Sequence, residues 1–120
     1  MSNKSIILKK HQNPLIGLFK IPGDKSISHR ALIFSSLSIG KTKISGLLES
    51  EDVLNTAKSL QKMSVQIEKL KNGDWEVIGS GISGFLEPDD ILDMGNSGTS
   101  TRLLMGLVTP LGFKTFFTGD

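Results

Sequence analysis

Two short stretches of this 120-residue chain combine residue types that bind anions. One is Pro22-Gly-Asp-Lys-Ser-Ile-Ser-His-Arg30; the other is Gly95-Asn-Ser-Gly-Thr-Ser-Thr-Arg102. Each runs into apolar residues at helical spacing, so each reads as a turn that opens a helix. At such an end the first backbone N–H groups lack intrahelical partners, and the macrodipole places partial positive charge at the mouth. Phosphate or carboxylate suits that position. In the first turn Lys25 adds a point charge, and Ser26 and Ser28 add hydroxyl donors. Arg30 lies four residues beyond Ser26, near the same helical face, where it can offer a bidentate fork. In the second turn Ser97, Gly98, Thr99 and Ser100 are small enough for a ligand to approach the backbone closely. Spacing alone leaves a plainer reading open, in which the hydroxyls are N-caps and the lysine is solvated.

Other suggestive residues are read more plainly. Gly40-Lys41-Thr42 looks like the tail of a P-loop, but that motif requires glycine where Ser35 stands, and it follows a helix instead of opening one. Ser97 is not in a GxSxG elbow, and neither histidine is placed by sequence to serve it as base. His29 is expected to be an exposed helical side chain. Glu49, Glu51 and Asp52 are expected to serve a helix N-terminus, Arg102 to brace its helix, with a ligand contact as the alternative, and Trp75 to lie in the core.

The elements that must hold these residues follow from periodicity. Residues 5–9 and 15–21 read as two strands around a turn at Asn13-Pro14. Ile27, Ala31, Phe34 and Leu37 form one helical stripe, with Gly40 as a left-handed terminator. Lys41 to Leu47 resembles a strand. Ser50 is a good N-cap for a second helix, with Glu51 and Asp52 in its first turn and Val53, Leu54, Ala57, Leu60, Gln61 and Met63 as its stripe. Val65 and Ile67, then Asn72-Gly73, then Trp75 and Val77 read as a hairpin. Residues 79–84 read as a flexible loop, 91–94 as a short strand, and 113–118 as a strand after the third helix, which Pro110 and Gly112 end. The pattern is an α/β (α+β) design. Gly23, Arg30 and Gly40 recur as Gly95, Arg102 and Gly112 at an offset of 72 residues, which favours a duplicated unit.

Composition narrows the function classes. Hydrophobic residues make up 38% and charged residues 22%, which excludes a disordered charged tail. No apolar run approaches the ~20 residues that cross a bilayer, so no membrane is expected as partner. Residues 1–13 have only three apolar residues between lysines, too few for a signal peptide, and a cytoplasmic location is the expectation. Without cysteine there is no disulfide, thiolate nucleophile or zinc–thiolate site, and no HxxxH or HExxH spacing suggests a metal. The formal charge of +2 is too small and too scattered for nucleic acid, yet permits small anions.

The stretch from Pro22 through PGDKSISHRALIFSSLSIGKTKISGLLESEDVLNTAKSL closely resembles the N-terminal region of the 5-enolpyruvylshikimate-3-phosphate synthase family, and MGNSGTSTRLLMGL is similar to its second signature, GNxGTxxR. Motifs, order and separation agree from about residue 15 to Asp120. The spelling with Asp24 and His29 resembles the bacterial branch with glyphosate-tolerant members. Gly98 stands where those members can carry alanine, and Leu103 where the other branch has proline.

The resemblance implies transfer of the enolpyruvyl group of phosphoenolpyruvate to the 5-hydroxyl of shikimate 3-phosphate, with release of phosphate and no metal or organic cofactor. It implies Lys25 between the substrates as the catalytic lysine, and Ser26 and Arg30 on shikimate 3-phosphate. Gly98 would border phosphoenolpyruvate, with Asn96 and Thr99. It also implies repeated βαβαββ units in two domains: residues 1–21 would belong with a second domain, and residues 22–120 would form an incomplete substrate-binding domain. The remainder of the enzyme would then be the partner, and this chain alone would be inactive. The alternatives are the related UDP-N-acetylglucosamine enolpyruvyl transferase and a non-catalytic anion-binding fragment.

Overall fold

A short polar turn, a helix, then a strand is the unit from which the chain is built, and the computed structural model describes it over residues 5–10 and 13–120. Helix α1 (Lys25–Leu37) begins where the Asp24 carboxylate accepts a 2.8 Å hydrogen bond from the Ile27 amide, an N-cap three residues ahead of the first apolar position. The chain turns out of α1 through Ser38, in extended conformation, into β1 (Ile39–Ile44). Gly40 therefore does not end the helix: it lies in β1, opposite Gly79.

Helix α2 (Glu51–Lys62) keeps the expected start, with Ser50 at its N-cap and Glu51 and Asp52 in its first turn, although the Ser50 hydroxyl makes no capping bond. Val53, Ala57 and Leu60 are buried along it, followed by Met63. Gln61 is exposed, and its side-chain amide donates to the Ile67 carbonyl at 2.6 Å. The hairpin forms as expected from β2 (Gln66–Lys69) and β3 (Trp75–Ser80), around Asn72-Gly73. Sheet order is β1-β3-β2, antiparallel throughout, with Thr42 and Ile67 both opposite Val77. The expected loop over 79–84 is instead the end of β3 followed by a 3-10 turn, Ile82–Gly84. Then β4 (Leu92–Asp93), α3 (Gly98–Val108) and β5 (Phe117–Thr118) make a parallel crossover, the two strands pairing through Leu92 and Phe117.

The core sits between the helices and the inner faces of the sheets, with Leu32, Val53, Leu60, Met63, Val77, Leu92 and Leu104 fully enclosed. Two expectations fail here. The stripe of α1 is rotated: Ser28, His29, Leu32, Ile33, Ser35 and Ser36 are buried, whereas Ile27 and Phe34 are about two-thirds exposed. Small serines let α1 approach so closely that a Cβ at Gly79 of β3 would lie 2.2 Å from the Ser35 carbonyl oxygen. No strand forms over the described part of residues 5–21, where Ile6, Ile7, Leu8, Leu15, Ile16, Leu18 and Phe19 are exposed. A strand needs hydrogen-bonded neighbours, and no described strand pairs with that segment. Of the segment 1–21 expected to belong with a second domain, residues 1–4 and 11–12 lie outside the described residues.

Candidate functional site

The first turns of α1, α2 and α3 meet at Asp52. Its carboxylate contacts the ammonium of Lys25, the first residue of α1, while its backbone carbonyl accepts from the Ser100 hydroxyl, in the first turn of α3, at 3.3 Å. Three helix N-termini, and with them three sets of unpaired amides, thus gather at one end of the molecule.

On α1, Lys25, Ser26 and Arg30 are exposed, and the Arg30 guanidinium donates back to the Ser26 carbonyl at 3.1 Å. That bond spans one helical turn, as the four-residue spacing requires. Ser28 turns inward: its hydroxyl donates to the Asp24 carbonyl at 2.7 Å and accepts from the Leu48 amide at 3.0 Å, so it is a structural tie. On α3, Ser97 is the buried N-cap, while Asn96, Gly98 and Thr99 face outward. Arg102 is exposed and makes no bracing hydrogen bond or ion pair among the described residues.

Beside each motif lies an open cleft. One, of about 410 Å³, is lined by residues 20–23 and 46–49; the other, of about 400 Å³, by residues 95–98, Thr101 and 117–120. The 72-residue offset carries part of the first onto the second, Gly23 onto Gly95 and residues 46–48 onto 118–120. Each cleft also has a close backbone approach. A Cβ at Gly23 would meet the Gly46 carbonyl oxygen at 2.1 Å, and one at Gly119 would meet that of Gly95 at 2.6 Å. Glycine is required at both crossings.

Several side chains depart from expectation. Glu49 does not serve α2; it pairs with Lys69 at 2.7 Å and accepts from the Trp75 indole N–H at 3.0 Å, and these bonds hold its carboxyl below the usual range. Trp75 is consequently only partly buried. His29 is fully buried, with its Nδ1 2.8 Å from the Thr56 hydroxyl. Burial, then the charge of Lys25, push its pKa down, with Arg30 adding to the effect and Asp52 opposing it. Thr56, buried, carried no sequence signal, and Ser100, also buried, reads from sequence only as a small residue of the second turn. For His29 the signal was its place with Leu32, Ile33 and Ser36 on one helical face.

A family model described as EPSP synthase (3-phosphoshikimate 1-carboxyvinyltransferase) matches residues 9–120. The chain belongs to that family. A 3-phosphoshikimate 1-carboxyvinyltransferase of Paramagnetospirillum magneticum is 51% identical over 107 residues, covering 89% of this chain and 24% of that protein. The one from Bradyrhizobium diazoefficiens is 53% identical over 107 residues, covering 89% and 23%. Among solved structures, EPSP synthase from Acinetobacter baumannii superposes with a TM-score of 0.82 at 45% identity, covering 87% of this chain and 24% of that one. The chain thus spans about a quarter of the length of the EPSP synthases it matches, and its helices and strands form part of that larger fold.

Proposed function

We propose that this chain carries part of the substrate site of an enolpyruvyl transferase acting on shikimate 3-phosphate and phosphoenolpyruvate. The reading rests chiefly on one observation: the two motif helices begin beside the same residue, Asp52, with their polar motif residues on the outside. Ser26 and Arg30 bind shikimate 3-phosphate, Asn96, Gly98 and Thr99 border phosphoenolpyruvate, and Lys25 stands between them. Each substrate carries a carboxylate and a phosphate of charge near −2, so about six negative charges share one pocket. Helix N-termini and cations offset that repulsion and stabilise charge that develops as C3 of phosphoenolpyruvate is protonated and the 5-hydroxyl oxygen attacks C2. The hydroxyl proton is released as the new C2–O bond forms, and phosphate then leaves C2 as a proton leaves C3, which restores the enolpyruvyl double bond. Lys25 is free to act only after exchanging Asp52 for a substrate anion.

Residues 22–120 form one portion of a substrate-binding domain, and residues 1–21 pack with a second domain, their exposed apolar side chains finding cover there. In the full-length protein containing this segment, Lys25→Ala lowers kcat/KM by about 10²–10³-fold, with the fold intact by circular dichroism. Residues 1–120 alone release no phosphate from the two substrates. Near-normal kinetics of the variant would remove Lys25 from the site, and turnover by the short chain would overturn the division into parts.

A further inference from the structure

A continuous file of buried polar side chains joins the two motifs behind their exposed faces. His29 Nδ1 lies 2.8 Å from Thr56 Oγ1, Thr56 Oγ1 lies 2.9 Å from Ser100 Oγ, and Ser100 Oγ lies 2.6 Å from Ser97 Oγ, which accepts from the Ser100 amide at 3.2 Å. His29, Thr56 and Ser100 are fully enclosed, and Ser97 nearly so. One end stands next to Arg30 and one helical turn after Lys25; the other immediately precedes Gly98 and Thr99.

Each hydroxyl has one proton to give, and the Asp52 carbonyl, 3.3 Å from both the Thr56 and the Ser100 hydroxyls, is a second acceptor beside the file. With the imidazole proton on Nδ1, donors run from Nδ1–H to Thr56, from Thr56 to Ser100 and from Ser100 to Ser97, and Nε2, buried without a partner among the described residues, is an unmet acceptor. With the proton on Nε2, donors run from Ser97 to Ser100, from Ser100 to Thr56 and from Thr56 to Nδ1. In either direction the file is continuous from His29 to Ser97. A leucine would fill the same space without any orphan, so packing does not account for an imidazole here.

We infer that His29 is a positioning residue: through Thr56 and Ser100 it holds the N-cap Ser97, and so sets where the Gly98–Thr99 amides stand relative to Lys25. The inference rests on the assignment of the two substrates proposed above. It is tested in the full-length protein with His29→Leu, Thr56→Val and His29→Asn, the last able to present a side-chain amide near the position of Nδ1. His29→Leu and Thr56→Val each raise KM for phosphoenolpyruvate about tenfold, while KM for shikimate 3-phosphate stays within about twofold. The double variant goes no further than either single one, because both cut the same file. His29→Asn recovers most of the loss.

A merely structural role would lower the fraction of folded enzyme and leave both KM values alone, or shift them together; either result overturns the inference. Should His29→Leu not fold, Thr56→Val carries the test. If the wild type turns over neither substrate, the assignment of substrates fails instead, and the file is judged by amide resonances. Movement of the Gly98 and Thr99 signals in Thr56→Val supports the coupling, and unmoved signals sink it.

Discussion

At the scale of single residues, the chemistry divides into side chains that face out and side chains that hold them. Lys25, Ser26 and Arg30 show their polar atoms to solvent, whereas Ser28 and His29, between them in sequence, point into the molecule. Two successive residues can do opposite jobs because a helix turns by about 100° per residue. The buried imidazole has a thermodynamic consequence. Its pKa is lowered from 6.5, so as pH falls through that value the unfolded chain takes up a proton that the folded chain refuses. Stability contributed by this group is present above 6.5 and declines as the pH drops below it, since the unfolded state then binds more protons. Urea midpoints measured across that window fall with acidification in the wild type, and the slope is shallower in His29→Asn. Equal slopes would mean that the imidazole titrates alike in the folded and unfolded states.

Elements were legible where local signals agreed. Helix α2 has an N-cap residue, acidic first-turn residues and a stripe of large apolar side chains, and the hairpin has Asn72-Gly73 between alternating strands; both formed as read. Helix α1 has a competing face. Ile27 and Phe34 outweigh Ser28, Ser35 and Ser36 in hydropathy, yet serine is what permits the close crossing over Gly79. Strands β4 and β5, two residues each, depend on pairing that no local pattern encodes. The outward half of the candidate site was visible because its residues are charged or sit in motifs. The hydroxyl file behind it was not: Thr56 looks like any helical threonine, and Ser97 and Ser100, although within the second motif, read as small residues that face a ligand. Gly79→Ala tests the crossing: its Cβ would stand 2.4 Å from the Ser38 carbonyl oxygen as well as against Ser35. The substitution costs about 2–4 kcal/mol by denaturant titration, through displacement of α1 from β3. A loss below ~0.5 kcal/mol would show that the two elements slide apart freely.

At the scale of the whole molecule, apolar surface among the described residues is left without cover in several places, two of them near the start of the chain. The segment before Pro22 exposes Leu15, Ile16, Leu18 and Phe19 almost completely, and α1 turns Ile27 and Phe34 outward. Patches of this kind mark contact surfaces. The 120-residue chain by itself therefore binds a hydrophobic dye strongly and associates as its concentration rises, and the full-length protein does neither; a dim, monomeric short chain would contradict this. Beside these patches the pairing of Lys25 with Asp52 has its own consequence: the lysine already holds a counter-ion tethered to the protein. A singly charged visitor merely swaps one carboxylate for another and gains little, whereas a doubly charged group brings a surplus that the tethered one cannot match. On the proposed assignment of Lys25, selectivity for dianions over monoanions is thus set at the threshold, before shape is consulted.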